Sequence, residues 1–172
     1  MKISILLPYK ENFSPNYAGA VSLFVKDTVN NSKFKKKTYV YGNTDYKKKL
    51  LSNYINLSLN KSFYQSGSKL YVESFLNHER KKTSEIIEVH NRPNYIKFLK
   101  GETSSKLALF FHNDPLSMNG SKSVKDRIYL LKNIDQLIFN SNWSKNRFFI
   151  GMKDFYISPS KISIAYLHEY YF

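Results

Sequence analysis

The feature that most constrains this chain is a series of short apolar runs, at residues 3–7, 38–41, 54–59, 86–89, 107–111, 137–139 and 162–166, most of them continuous rather than alternating. A strand that is apolar at every position is buried on both faces. A parallel sheet sandwiched between helices demands this, whereas an antiparallel sheet with one wet face alternates. Segments of helical period lie between the runs. Val21, Phe24, Val25 and Thr28 fall at i, i+3, i+4 and i+7, with Asn30 and Asn31 as the stop, so a helix follows the first strand directly. Residues 123–133 carry Val124, Ile128 and Leu131 as one stripe, and Ser123 with Asp126 has capping-box spacing. Further helices are expected at 69–82, 93–100 and 142–150. Strand, crossover helix and strand in repetition predict an α/β fold with a doubly wound, mostly parallel sheet.

The length of 172 residues fits one domain, since a single core grows efficiently up to roughly 250 residues. A hydrophobic fraction of 42% outweighs a mean hydropathy of -0.47, so the chain folds rather than staying disordered. It has no cysteine, which excludes disulfide frameworks, thiolate metal sites and a cysteine nucleophile, and leaves a reducing cytoplasm as the expected location. The apolar stretch before Pro8 is too short for a signal-peptide core or for the ~20 residues that span a bilayer. A net charge of +14 favours an anionic partner: nucleic acid, lipid headgroups or a phosphorylated substrate. The lysine runs at 35–37 and 47–49 fall in connecting segments and read as solvated loops.

In a doubly wound sheet, ligands bind at the carboxyl ends of the strands. Two of those ends read Val89-His90-Asn91-Arg92-Pro93 and Phe111-His112-Asn113-Asp114-Pro115, each a polar cluster that proline bars from continuing as helix. Histidine there can bond a hydroxyl or a developing oxyanion, and Arg92 can pair with a phosphate or carboxylate. After the first strand, a long loop ends in Tyr17-Ala18-Gly19-Ala20, where small residues admit a ligand close to the free N–H groups of a helix start. Several chemistries are excluded. The sequence has no phosphate-binding G-x-x-x-x-G-K-[ST] loop and no G-x-S-x-G elbow. It also has no Asp-x-Asp pair, and His168-Glu169 is followed by Phe172 where a zinc-protease helix needs its second histidine. His78, beside Glu79 and Arg80, reads as part of a solvated helix face.

In order and spacing, these stretches resemble the N-terminal domain of family 4 glycosyltransferases with GT-B architecture. The likeness covers residues 1–164 and is carried by Ile3-Ser4-Ile5-Leu6-Leu7-Pro8 with the loop to Ala20, by Glu85-Ile86-Ile87-Glu88-Val89-His90-Asn91-Arg92-Pro93, by Leu109-Phe110-Phe111-His112-Asn113-Asp114-Pro115, and by Ile138-Phe139-Asn140-Ser141-Asn142-Trp143. The resemblance implies a Rossmann-like domain, one half of a two-domain enzyme. It also implies transfer of a hexose-like group from a nucleotide-sugar donor to a hydroxyl acceptor, with retention of configuration and with neither metal nor cofactor. By the same resemblance His112 is the catalytic residue facing the transferred sugar, Gly19 lies against the donor diphosphate, and Tyr17, His90, Asn91 and Arg92 contact the acceptor. Where the family carries a doubled glycine, this chain has Ala18-Gly19. The family's paired glutamates belong to a second, donor-binding domain, so residues 1–172 are expected to be the acceptor-side domain alone, completed by a C-terminal domain or a partner chain. Family relatives often glycosylate lipid-linked or envelope acceptors, which would give the lysines a use against the anionic inner face of a membrane. The alternatives are a non-catalytic acceptor- or carbohydrate-binding module and a basic nucleic-acid-binding protein. The latter is suggested by charge and aromatics but carries no recognised nucleic-acid motif.

Overall fold

The computed structural model describes residues 1–59, 66–152 and 158–165. Among them the strands are β1 (Ile3–Leu6), β2 (Thr38–Gly42), β3 (Tyr54–Asn56), β4 (Ile86–His90), β5 (Lys106–Phe111), β6 (Gln136–Phe139) and β7 (Ile162–Ile164). The helices are α1 (Ala20–Asn31), α2 (Gly67–Glu79), α3 (Ile96–Leu99), α4 (Val124–Asn133) and α5 (Asn142–Phe149). The strands form one sheet in the order β3-β2-β1-β4-β5-β6-β7, and every pairing is parallel. The expected α/β doubly wound architecture is therefore present, with no antiparallel strand among the described residues.

The continuous apolar runs are explained by two cores, one on each face. Leu6, Tyr41, Ile87, Val89, Leu109, Phe111, Leu137 and Phe139 point to the larger core, which α2, α3, α4 and α5 close with Phe75, Leu99, Leu130 and Phe148. Ile5, Leu7 and Val40 point the other way, into a smaller core closed by Val21, Val25 and Val29 of α1 together with Phe13 and Leu51. Alternation of side chains across each strand thus feeds both layers.

Several local readings change. The run at 54–59 pairs only over Tyr54–Asn56, although the Leu57 N–H still donates to the Gly42 carbonyl at 2.7 Å. In the run at 162–166, strand pairing is seen for Ile162–Ile164, and Tyr166 lies outside the described residues. Helix α1 buries Val21, Ser22, Val25 and Val29, with Thr28 exposed, and continues through Asn31. The segment 93–100 is a single 3-10 turn, Pro93–Tyr95, running into the one-turn α3, because Pro93 sits at its first position. His78 is half-buried, with its ring 5.9 Å from that of Tyr41.

Helix α4 starts at the expected Ser123–Asp126 capping box, and its inner face keeps Leu131 and the partly buried Ile128 of the expected stripe. Val124 is exposed, while Arg127, Leu130 and Leu131 are buried. Arg127 takes the interior position because carbonyls surround its guanidinium, which donates to Ser121, Lys122 and Ile150 at 3.1, 2.8 and 2.6 Å. This cation ties the loop after β5 to the end of α5. The same loop touches the one after β4: Gly120 has a φ of +94°, and a Cβ there would lie 2.6 Å from the Asn94 backbone nitrogen.

At the opposite end of the sheet an ion pair is buried. The Glu79 carboxylate accepts from Lys2 Nζ and Ser4 Oγ at 2.8 Å each and from the Ser84 N–H at 2.8 Å. It joins the last turn of α2 to β1 and to the entry of β4. Removing one member leaves the other charge buried and unpaired, so Glu79→Ala should cost about 3–5 kcal/mol in urea unfolding. Replacing Lys2 and Glu79 together by Met and Leu should recover most of that loss.

Candidate functional site

The chain runs outward from β1 through β2 to β3, then returns on the other side of β1 at β4, so the strand order reverses between β1 and β4. A crevice opens at the carboxyl ends of strands at such a point. The loop after β1, the start of α1, and the turns after β4 and β5 all meet there.

The loop after β1 is held from below. The Tyr71 hydroxyl donates to the Leu7 carbonyl at 3.0 Å, and the Tyr9 N–H donates to the Tyr95 hydroxyl at 3.0 Å. Gly19 is the N-cap of α1, with an ordinary extended backbone. A Cβ here would lie 2.2 Å from Glu11 Oε1, so a larger residue would push that side chain aside. That same oxygen accepts from the Ser22 N–H at 3.3 Å and from Ser22 Oγ at 3.1 Å. A carboxylate of the chain itself therefore sits at the positive end of α1. Tyr17 is 62% exposed and stacks on Tyr46 at 5.0 Å, on the outer side of this loop.

Along β4 and β5, the side chains that share the α1 face are Glu88 and His90, and Phe110 with the following His112. His90 is fully enclosed. Its Nε2 lies 2.6 Å from Glu88 Oε1, and its Nδ1 lies 2.8 Å from His112 Nε2. Phe24 of α1 lies edge-on to His112 at 4.8 Å, and Phe110 stacks on His112 at 4.3 Å. Burial first, and then the neighbouring His90 imidazole, hold His112 down to about 3, so its ring is neutral at pH 7. Asn91, with φ at 50°, takes the left-handed conformation that asparagine tolerates, and its Oδ1 accepts the His112 N–H at 2.8 Å. The Asn140 side chain donates to the His112 carbonyl at 2.7 Å. His112 is thereby fixed through its ring, its N–H and its C=O.

Of the residues expected to meet an acceptor, His90 and Asn91 bond to His112, through His90 Nδ1 and Asn91 Oδ1. Both His90 ring nitrogens are already engaged, and Asn91 is 5% exposed. Arg92 is half-buried and donates to the Asn91 carbonyl at 2.8 Å; among the described residues it forms no ion pair with a carboxylate. On the far side of His112, Arg147 pairs with Asp114 at 2.8 Å and holds that carboxyl below its usual range. Arg147 also lies 5.6 Å from the ring of Trp143, which is 59% exposed. Glu88 was missed from the sequence, though its signal is there: two residues before His90 on a strand is the same face. Glu11 and the Asp114–Arg147 pair carry no comparable local signal. A further cavity of about 470 Å³ lies between α2 and α3, lined by Lys69, Arg80, Lys97 and Glu102 among others, away from these strand ends.

No family model and no curated relative matches the sequence. Among solved structures, the apo form of the lipopolysaccharide outer core galactosyltransferase WaaB is similar, with a TM-score of 0.64 at 14% identity over 96% of this chain. The match takes in 45% of that protein, so the chain spans less than half its length. Sucrose-phosphate synthase (tll1590) from Thermosynechococcus elongatus matches with a TM-score of 0.57 at 11% identity, over 98% of this chain and 91% of the other. The fold is thus the Rossmann-like half of the GT-B architecture.

Two outcomes are expected. Gly19→Ala should cost about 1 kcal/mol by displacing the Glu11 cap, and should cost little in a Glu11→Ala background, as read by a double-mutant cycle in urea. Because His112 is depressed from 6.5 to about 3, the unfolded chain takes up the proton first on acidification. The stability from keeping this ring neutral is complete above about 6.5 and is lost as pH falls toward about 3. The urea midpoint should fall across that window, and His112→Gln should flatten the slope.

Proposed function

We propose that this chain forms the acceptor-side wall of a retaining glycosyltransferase, which moves a sugar from a nucleotide-sugar to a hydroxyl acceptor in a cleft completed by a second, donor-binding domain. The observation that carries this reading is the switch point between β1 and β4, whose flanking strand-end segments carry Gly19, Arg92 and His112, on a fold shared with a galactosyltransferase and a sucrose-phosphate synthase. Gly19 and the α1 N–H groups face the diphosphate, for which the Glu11 carboxylate must give way. Arg92 supplies a cation for an anionic group of donor or acceptor, with Tyr17 at the outer margin of the acceptor side.

His112 is the group placed against the transferred sugar. A neutral imidazole does not repel the oxocarbenium character that develops as the glycosidic bond breaks, and its rigid bracing removes the cost of orienting it at that moment. The chemistry asks for no metal or cofactor.

The charge has a role in the same reading. Lys35, Lys36, Lys37, Lys47 and Lys48 are exposed, and each well-placed cation adds about 1 kcal/mol of attraction to an anionic leaflet. The expected position is the cytoplasmic face of a membrane that carries the acceptor. No helix among the described residues is long and apolar enough to cross a bilayer. The nucleic-acid alternative loses ground because Phe13, Tyr71, Phe75, Tyr95, Phe139 and Phe148 are buried and offer no stacking platform.

Backbone amide NMR with millimolar UDP-galactose and GDP-mannose tests the reading. Shifts are expected to cluster around Gly19, Arg92 and His112, and Arg92→Ala should weaken binding roughly tenfold or more, the scale of a charge-assisted hydrogen bond. Absence of shifts with either nucleotide-sugar, or shifts confined to the α2–α3 cavity, would overturn it.

A further inference from the structure

The row Glu88–His90–His112 has a direction. A carboxylate only accepts hydrogen bonds, so the 2.6 Å contact at Glu88 Oε1 requires the proton of His90 to sit on Nε2. A neutral His90 then has a bare lone pair at Nδ1, and the 2.8 Å contact there requires His112 to donate from Nε2. His112 is neutral, so its other nitrogen, Nδ1, is left unprotonated. Nothing among the described residues bonds to that nitrogen, and it is not counted among the buried unpartnered atoms, so it is open to solvent.

We propose that Glu88 and His90 are positioning residues that lock His112 in the Nε2–H tautomer, so that the site presents Nδ1 as a hydrogen-bond acceptor and selects a ligand group that donates, a hydroxyl rather than a carbonyl or carboxylate. The selection works by exclusion as well as attraction. A ligand oxygen without a proton would face a lone pair in an enclosure that leaves the ring little freedom, with Phe110 stacked at 4.3 Å and Phe24 edge-on at 4.8 Å. Rotating the ring to offer an N–H would break the contact with His90 and leave a fully buried nitrogen unpaired. The carboxylate end of the row is 23% exposed, so Glu88 is reached by solvent while His90 is not. That this group meets a sugar hydroxyl rests on the function proposed above; the tautomer itself does not.

Two-bond proton–nitrogen correlation NMR on histidine-labelled protein near neutral pH reads the tautomer directly, with His112 assigned from His112→Gln. The expected spectrum shows His112 protonated at Nε2 and bare at Nδ1, with His90 likewise protonated at Nε2. In Glu88→Gln the side-chain amide can donate to His90 Nε2, which would move the His90 proton to Nδ1. His112 should then shift measurably toward the Nδ1–H tautomer while the amide spectrum stays dispersed. Wild-type protein with His112 protonated at Nδ1 overturns the proposal, and that spectrum decides the matter even if Glu88→Gln does not fold. A folded Glu88→Gln in which the His90 proton has moved to Nδ1 while the His112 tautomer is unchanged overturns it as well. If the tautomers are as expected but no nucleotide-sugar shifts the crevice amides, the row stands and the glycosyltransferase reading fails.

Discussion

A sheet made only of parallel strands has no face to leave in water, and this requirement organises the molecule. Each connection must carry a covering segment, so helices fall on both sides. The side of β1 on which the chain returns decides where the crevice opens. Leu6 and Leu7 are adjacent in sequence and feed opposite cores, one closed by α2 to α5 and the other by α1. The crevice is a by-product of that covering. It lies at the carboxyl ends of β1 and β4, where the strand order reverses, and strand-end polar groups fill the gap.

Much of this was legible because burial on two faces writes itself as unbroken apolar runs. All seven strands, the α1 and α4 starts and the strand-end histidines follow from local pattern and capping chemistry. What was misread has one physical origin: local pattern does not say which of several neighbours will occupy an interior position. Arg127 joins the inner face of α4 because three backbone carbonyls converge on it, a tertiary fact. The contacts of His90 are hidden from local pattern for the same reason. A histidine at a strand end is polar in sequence, and only the fold reveals that Glu88 on one side and His112 on the other leave it no open valence.

The site also shows how a basic chain can hold a neutral centre. With +14 of formal charge spread along the sequence, the groups nearest His112 are aromatic rings, an amide and a second imidazole, with Arg147 neutralised by Asp114 just outside. Long-range attraction and local chemistry are thus separated in space: solvated lysines set the first, and enclosed uncharged groups set the second.

Gly120, pressed against the backbone of Asn94, ties the turn after β4 to the loop after β5, and Arg127 fastens that loop in turn to the end of α5. Two strand-end segments and the end of a helix therefore form one mechanical body. Such a rim resists piecemeal adjustment. An insertion or side chain that suited a different ligand at one turn would strain the others, whereas the stretch from Asn43 to Asn53 carries no such tether to this rim. Variation in what the crevice accepts is expected to come from the β1 loop and from whatever closes over it, with the histidine rim inherited as a unit.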